Sequence, residues 1–453
     1  MRSRLAPLFV PFLFAACTEV AATAPDSSAP SPSSSTPTSL ASQPNALPQT
    51  TAEPTPTASA TPSAPPKQDE IEAAGRFAKA SNAFGFDLYR EVRKTPGNLA
   101  MSPASLSIAF AMTFAGAKGA TSTEMRKVLR FQASPADTMS DAAKLTRLLE
   151  NPSRPLKLSI ANRLFGEKTY AFEKPYLDSV SKAFGAGLEP VDFVGASEKA
   201  RLTINGWVEQ KTEKRIVDLV PKNAVNTDSR LFLVNAVYFM ADWERPFDKG
   251  NTEPADFSVS TSRKVRAATM RQETSLRYAE SSGAKLLELP YKGGEMSMLI
   301  ALPSKVDGID DLEQVLSADK VSEWQKALKP ERVSVSLPKF EVSPPAAMSL
   351  GDTMQKLGMS SAFDRAKADF TTIANPADKK QRLFISQVLH KAFVKVDEKG
   401  TEAAAASAMG TEAGGVPPKA IEFRADHPFV YMIRDNKSGL VLFVGRVTDP
   451  TAK

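Results

Sequence analysis

Apolar positions recur along this chain in three regimes. A short apolar run, Leu5 to Phe14, follows Arg2 and Arg4. Residues 18–66 are then Ser, Thr, Ala and Pro with almost no charge and few large apolar side chains. From about Asp69 the pattern becomes that of a folded domain. Phe77, Phe84, Leu88 and Val92 fall at helical spacing, which predicts a helix over 71–92 that Pro96-Gly97-Asn98 stops. Ser102 followed by Pro103 predicts the cap and first position of a second helix, running through Ile108, Met112 and Phe114 to Gly116. A third begins at Thr121, with Glu124 placed to complete a capping box. Residues 158–165 alternate like a sheet strand, and 231–239 are apolar on both faces, as in a buried central strand. Helices first, then many short strands with interspersed helices, make an α+β pattern.

Near the C-terminus two strand-like runs, 384–396 and 421–433, flank a link from Glu398 to Lys419 that is rich in Ala and Gly. At about 22 residues it exceeds the 12–15 beyond which a connection is usually functional or disordered. If a strand starts at Thr401, then Thr401, Ala403, Ala405 and Ser407 share one face, and Glu402, Ala404 and Ala406 share the other. The first set is small and uncharged, so burying it costs little. Alanine favours helix over strand, so any strand formed here must be stabilised by pairing with neighbours.

The first two regimes read as export and tether. Residues 1–16 have the basic start and short apolar core of a signal peptide, too short to span a bilayer. Leu13-Phe14-Ala15-Ala16-Cys17 resembles the bacterial lipobox, with Phe14 where an aliphatic residue is usual. That resemblance implies lipidation at Cys17 and anchoring to a bacterial membrane, at the outer membrane or cell surface, with release from the cell as the alternative. Residues 17–68 cannot bury enough apolar surface to offset their ordering entropy and form a tether. Residues 69–453 form the folded domain.

Composition removes several function classes. Hydrophobic residues make up 42% and charged residues 24%, enough for a large core. The net charge of +6 is spread along the chain, which argues against a nucleic-acid partner. Cys17 is the one cysteine, so neither an intrachain disulfide nor a Cys-rich zinc site is available. His390 and His427 are the two histidines, with no metal-ligand spacing around them. There is no Gly-x-Ser-x-Gly elbow, and Ser-x-x-Lys occurs three times without its companions, so no enzyme and no cofactor are expected. Arg126, Lys127, Arg130, Lys144 and Arg147 are too sparse to make a polyanion-binding face.

The motifs agree, in order, with one family. Residues 98–125 resemble the opening helices of the serpins, the suicide protease inhibitors and their non-inhibitory relatives. Leu231–Phe239 with Trp243-Glu244-Arg245-Pro246-Phe247, Leu289-Pro290-Tyr291, Leu337-Pro338-Lys339-Phe340, His427-Pro428-Phe429 and Phe443-Val444-Gly445-Arg446-Val447 continue the likeness over about 380 residues. The resemblance implies three β-sheets, eight or nine helices and an exposed reactive-centre loop at about 398–419, in a monomer. It implies that a serine, or in some members cysteine, endopeptidase attacks the loop and forms an acyl-enzyme, which is trapped when the loop inserts into the main sheet. Gly400 matches the glycine that opens the hinge of the loop, with Glu398, Thr401 and Ala403, Ala404, Ala405, Ala406 and Ser407 around it. Family spacing puts the scissile bond at Gly414–Gly415, with Glu412 and Ala413 as alternatives. Small residues there suggest an elastase-like or subtilisin-like target. Ser102, Ser105, Asn235 and His390 match the polar cluster where the strands part, called the shutter. Trp243 and Lys339 match the entry point of the loop, the breach, where Lys339 would pair with Glu398. The alternative is a non-inhibitory surface binding or carrier protein.

Overall fold

The computed structural model describes residues 67–185, 187–401 and 419–452. Cys17, the signal and tether segments to residue 66, and 402–418, with Ala403, Ala404, Ala405, Ala406, Ser407, Glu412, Ala413, Gly414 and Gly415, lie outside the described residues. Among those described there are nine α-helices: α1 (Gln68–Val92), α2 (Pro103–Ala115), α3 (Gly119–Val128), α4 (Pro135–Leu149), α5 (Lys174–Phe184), α6 (Ser197–Lys211), α7 (Ile309–Val315), α8 (Ala318–Ala327) and α9 (Gly351–Lys356). The strands are β1 (Leu99–Met101), β2 (Lys157–Glu167), β3 (Glu189–Val191), β4 (Leu231–Asp242), β5 (Glu253–Ser258), β6 (Lys264–Ser281), β7 (Ala284–Pro290), β8 (Met296–Pro303), β9 (Lys329–Pro338), β10 (Phe340–Val342), β11 (Met348–Ser349), β12 (Leu389–Ala392), β13 (Val394–Val396), β14 (Gly400–Thr401), β15 (Ile421–Arg424), β16 (Phe429–Asp435) and β17 (Val441–Val447).

The helix α2 starts as its sequence predicts. Ser102 Oγ accepts a hydrogen bond from the Ser105 N–H at 3.2 Å, and Pro103 occupies the first position. The helix α3 does not. It begins two residues before Thr121, at Gly119, and no side chain caps it. Glu124 instead accepts from Ser361 N–H and Oγ–H, each at 2.6 Å, and Thr121 Oγ1 accepts from the Asp369 N–H. Both side chains of the expected capping box are thus used by tertiary partners far along the chain.

Strand periodicity fixes what each face buries. Along β4, Val237, Phe239 and Ala241 point into the main core, while Phe232, Val234 and Ala236 join a smaller cluster with Ile204 and Val208 of α6. The two faces of β4 are therefore buried against different layers, as the apolar residues on both of its faces imply. The run expected as one strand over 384–396 is one only in part. Residues 384–388 form no strand, and pairing starts at Leu389. Apolar alternation identifies buried positions but does not supply a neighbouring strand.

Hydrogen bonding gathers the strands into two networks. One has nine strands in the order β1-β17-β16-β8-β7-β6-β9-β15, with β5 on β6. At 18 residues β6 reaches across two sheets: it pairs with β7 near one end and with β5 and β9 over the rest, joining them edge to edge. The other network runs β10-β13-β14-β4-β12-β11, with β2 and β3 beyond β4.

Candidate functional site

Among the described residues β14 is Gly400–Thr401, and it sits between β4 and β13. Gly400 opposes Asp242, and Thr401 opposes both Ala241 and Val396 in antiparallel register. Only glycine fits at the first position: a Cβ on Gly400 would lie 2.0 Å from the Ala241 carbonyl oxygen. Thr401 points inward and is buried, with its hydroxyl 2.6 Å from the Tyr291 hydroxyl. The ring of Tyr291 stacks on Trp243 at 4.5 Å between centroids. Trp243 in turn holds the turn before β14: its Nε1–H donates to Asp397 O at 3.0 Å and its N–H to Lys399 O at 2.7 Å.

Glu398 stands beside this seat. Lys339 Nζ–H donates to its two carboxylate oxygens at 3.0 and 2.8 Å, and its own backbone carbonyl accepts from the Phe247 N–H. Burial acts to raise the Glu398 carboxyl, but hydrogen bonds, led by that from Lys339, outweigh it and hold it below the ordinary carboxylate range. The structure thus brings Trp243, Lys339, Glu398, Gly400 and Thr401 together at one end of the opening between β4 and β13.

At the other end β4 and β12 meet directly. They share two parallel register pairs, Lys391 with Ala236 and Ala392 with Val237. Next to these, His390 Nε2 accepts from the Ser102 N–H at 3.0 Å, which places the ring proton on Nδ1. That Nδ1–H faces Asn235 Oδ1 at 3.3 Å. The Asn235 amide donates to Ser105 O and Asn162 Oδ1, both at 2.6 Å, and lies 2.5 Å from Ser105 Oγ. Ser102 Oγ–H donates to Leu442 O. All four sequence-predicted members of this cluster are buried and mutually bonded. Burial pushes the His390 ring down to about 4, so it is neutral at pH 7 and accepts rather than donates at Nε2.

Three residues of the site escaped sequence reasoning. Tyr291 stands in the sequence only as part of a strand motif, and nothing in Leu-Pro-Tyr signals that its hydroxyl meets that of Thr401. Asn162 sits in an alternating strand and gives no sign that it faces Asn235. Lys391 is buried, with Nζ donating to Val217 O after α6 and to Pro345 O. A lysine between His390 and Ala392 in a strand reads as a solvent-facing residue, and only the fold shows the carbonyls it meets. The arrangement is that of a sheet whose strands β4 and β13 are parted by β14 at one end, while β4 and β12 pair directly at the other, beside the polar cluster.

Residues 79–450 match the family model described as serpin (serine protease inhibitor). The chain is 37% identical to Serpin B10 of Bos taurus over 401 residues, covering 83% of this chain and 99% of that one. It is also 37% identical to leukocyte elastase inhibitor A of Rattus norvegicus over 386 residues, covering 83% and 100%. Its structure matches that of human thyroxine-binding globulin complexed with thyroxine at a TM-score of 0.74 and 27% identity, covering 84% of this chain and 100% of that one. With the fold, the sheet opening and these likenesses in agreement, the chain belongs to the serpin family.

Proposed function

We propose that this protein is a suicide inhibitor of serine endopeptidases, with cysteine endopeptidases as a second target class, and not itself an enzyme. The observation that carries the reading is the seat of Thr401. It is buried on the core side and already paired with strands on both sides. Continuing its two registers residue by residue brings Ala405 between Val237 and Ala392, and Ala406 between Ala236 and Lys391. These are the same two pairs that now close the sheet. Ser407 falls between Asn235 and His390, where a hydroxyl can bond to both after their mutual contact is broken. Insertion thus gives up two register pairs and forms a ladder on each side of the new strand. The inward set Thr401, Ala403, Ala405 and Ser407 is small enough to enter without a cavity made in advance.

In this reading the nucleophile of the protease attacks the Gly414 carbonyl, the Gly415 amine leaves, and the acyl bond remains while the loop inserts and carries the protease with it. The likeness to leukocyte elastase inhibitor A supports an elastase-like target, and the small residues around Gly414 suit a subtilisin-like one equally. We place the inhibitor, as a monomer, outside the cell. A signal over 1–16 exports it, lipid on Cys17 anchors it to a bacterial membrane, the tether 17–68 spaces it, and 69–453 form the inhibitory domain. Mass spectrometry of the mature N-terminus, with a Cys17→Ala variant recovered in the soluble fraction, checks the anchor.

The mechanism is tested by incubating the protein with an elastase, a subtilisin and a trypsin. A protease complex that survives SDS, with cleavage near Gly414, is expected from the first two. Loop cleavage without any complex, and with no rise in melting temperature, would favour a binding or carrier role instead.

A further inference from the structure

A cationic cavity of about 270 Å³ lies at the foot of the sheet opening. Arg230, Arg365, Lys380 and Arg382 line it. Among the described residues Asp228 is the one acid on that lining, and it already faces Arg365 at 3.5 Å. The cations come from both sides of the gap: Arg230 directly precedes β4, and Lys380 and Arg382 lie on the segment that leads to β12. The Arg382 Nε is buried without a hydrogen-bond partner among the described residues. Gathering four cations around one cavity is unfavourable by Coulomb repulsion, so the site is suited to an anion.

The register of the hinge says which anion. Eleven residues beyond Thr401 is Glu412, and eleven before Ala241 is Arg230. Strand geometry holds that far, because the Glu167 N–H donates to Arg230 O at 2.8 Å, one step past the last β2–β4 pair. Residues directly opposite in an antiparallel pair share a face, so the two side chains would meet. Glu412 is the one acid between Glu402 and Lys419. Gly414 lies two residues beyond Glu412, and so at the same end of the opening in an inserted strand. When the acyl bond is hydrolysed instead of trapped, Gly414 carries a new carboxylate to that point.

We infer that this cavity is a dock for the Glu412 carboxylate of the inserted loop, locking the far end of the new strand. The inference rests on the insertion reading above and adds to it a charge-specific latch made by this chain's own residues. The register that brings Glu412 to Arg230 requires the pairs Ala236–Lys391 and Val237–Ala392 to part, so the latch acts on the inserted state alone.

The test uses the full chain cut in the loop on the C-terminal side of Glu412, the cut being verified by fragment mass. Each protein is melted before and after cleavage. Glu412→Gln is expected to leave the intact melting temperature unchanged and to lower that of the cleaved form by about 2 °C or more at low salt. The difference should close in 1 M salt, where the Debye length is about 3 Å. Arg230→Gln should lower the cleaved form similarly, and the double variant no further. If Arg230→Gln does not fold, Glu412→Lys, in the loop, should give a larger drop than Glu412→Gln. Cleaved wild type and cleaved Glu412→Gln melting together at low salt would overturn the dock while leaving insertion intact. A wild type that gains no stability on cleavage would overturn insertion, and the dock with it.

Discussion

His390 and Thr401 are both buried and must both stay uncharged, for different reasons. The buried His390 must stay neutral, because protonation would remove the lone pair that accepts from Ser102. Its folded value of about 4 lies below the unfolded 6.5, so between those values the unfolded chain binds more protons. Stability should therefore fall as pH drops from about 6.5 toward 4, by at most about 3 kcal/mol, and then level off with respect to this group. Denaturant titrations across that range check it, and a His390→Asn variant should show a shallower slope. Thr401 must stay uncharged for another reason: its inward position is fully enclosed. Thr401→Arg should fold, because the hinge can remain outside the sheet, and should turn the protein from inhibitor into substrate. The readout is loss of the SDS-stable complex while loop cleavage continues.

The elements described at the opening are short and held by few groups. Glu398 is buried, but Lys339 keeps 38% of its side chain exposed, so their ion pair contributes about 1 kcal/mol or less to global stability. Its larger effect should be on the hinge. Lys339→Met should barely move the melting temperature yet alter the rate at which the loop enters, read as the ratio of inhibitor consumed to protease trapped. Much of this was legible in sequence where the signal is local. Ser102 and Pro103 announce α2 because cap and first turn are adjacent in the chain. Glu124 misled because its carboxylate is drawn to Ser361, and residues 384–388 misled because apolar spacing cannot show that they pair with no strand among the described residues. The polar cluster of Ser102, Ser105, Asn235 and His390 could be listed from family likeness, but its direction of hydrogen bonding could not. That direction depends on which histidine nitrogen meets the Ser102 N–H.

At the scale of the molecule, the two hydrogen-bonded networks divide the labour. The eight-stranded one contains the seated hinge, the two closing pairs and the polar cluster, and it is where a strand would be added. The nine-stranded one is fused by β6, and its inner strands β8, β16 and β17 are buried along their whole length. In isotope exchange this difference becomes a contrast in time. Amides of β8, β16 and β17 should exchange only through global opening, and should do so no faster in the cleaved protein than in the intact one. Amides of β4 and β12 that lack a partner across the gap should exchange quickly before cleavage and become protected after it. The long strand that merges two sheets would then serve as the stationary frame against which the rest of the molecule is seen to move.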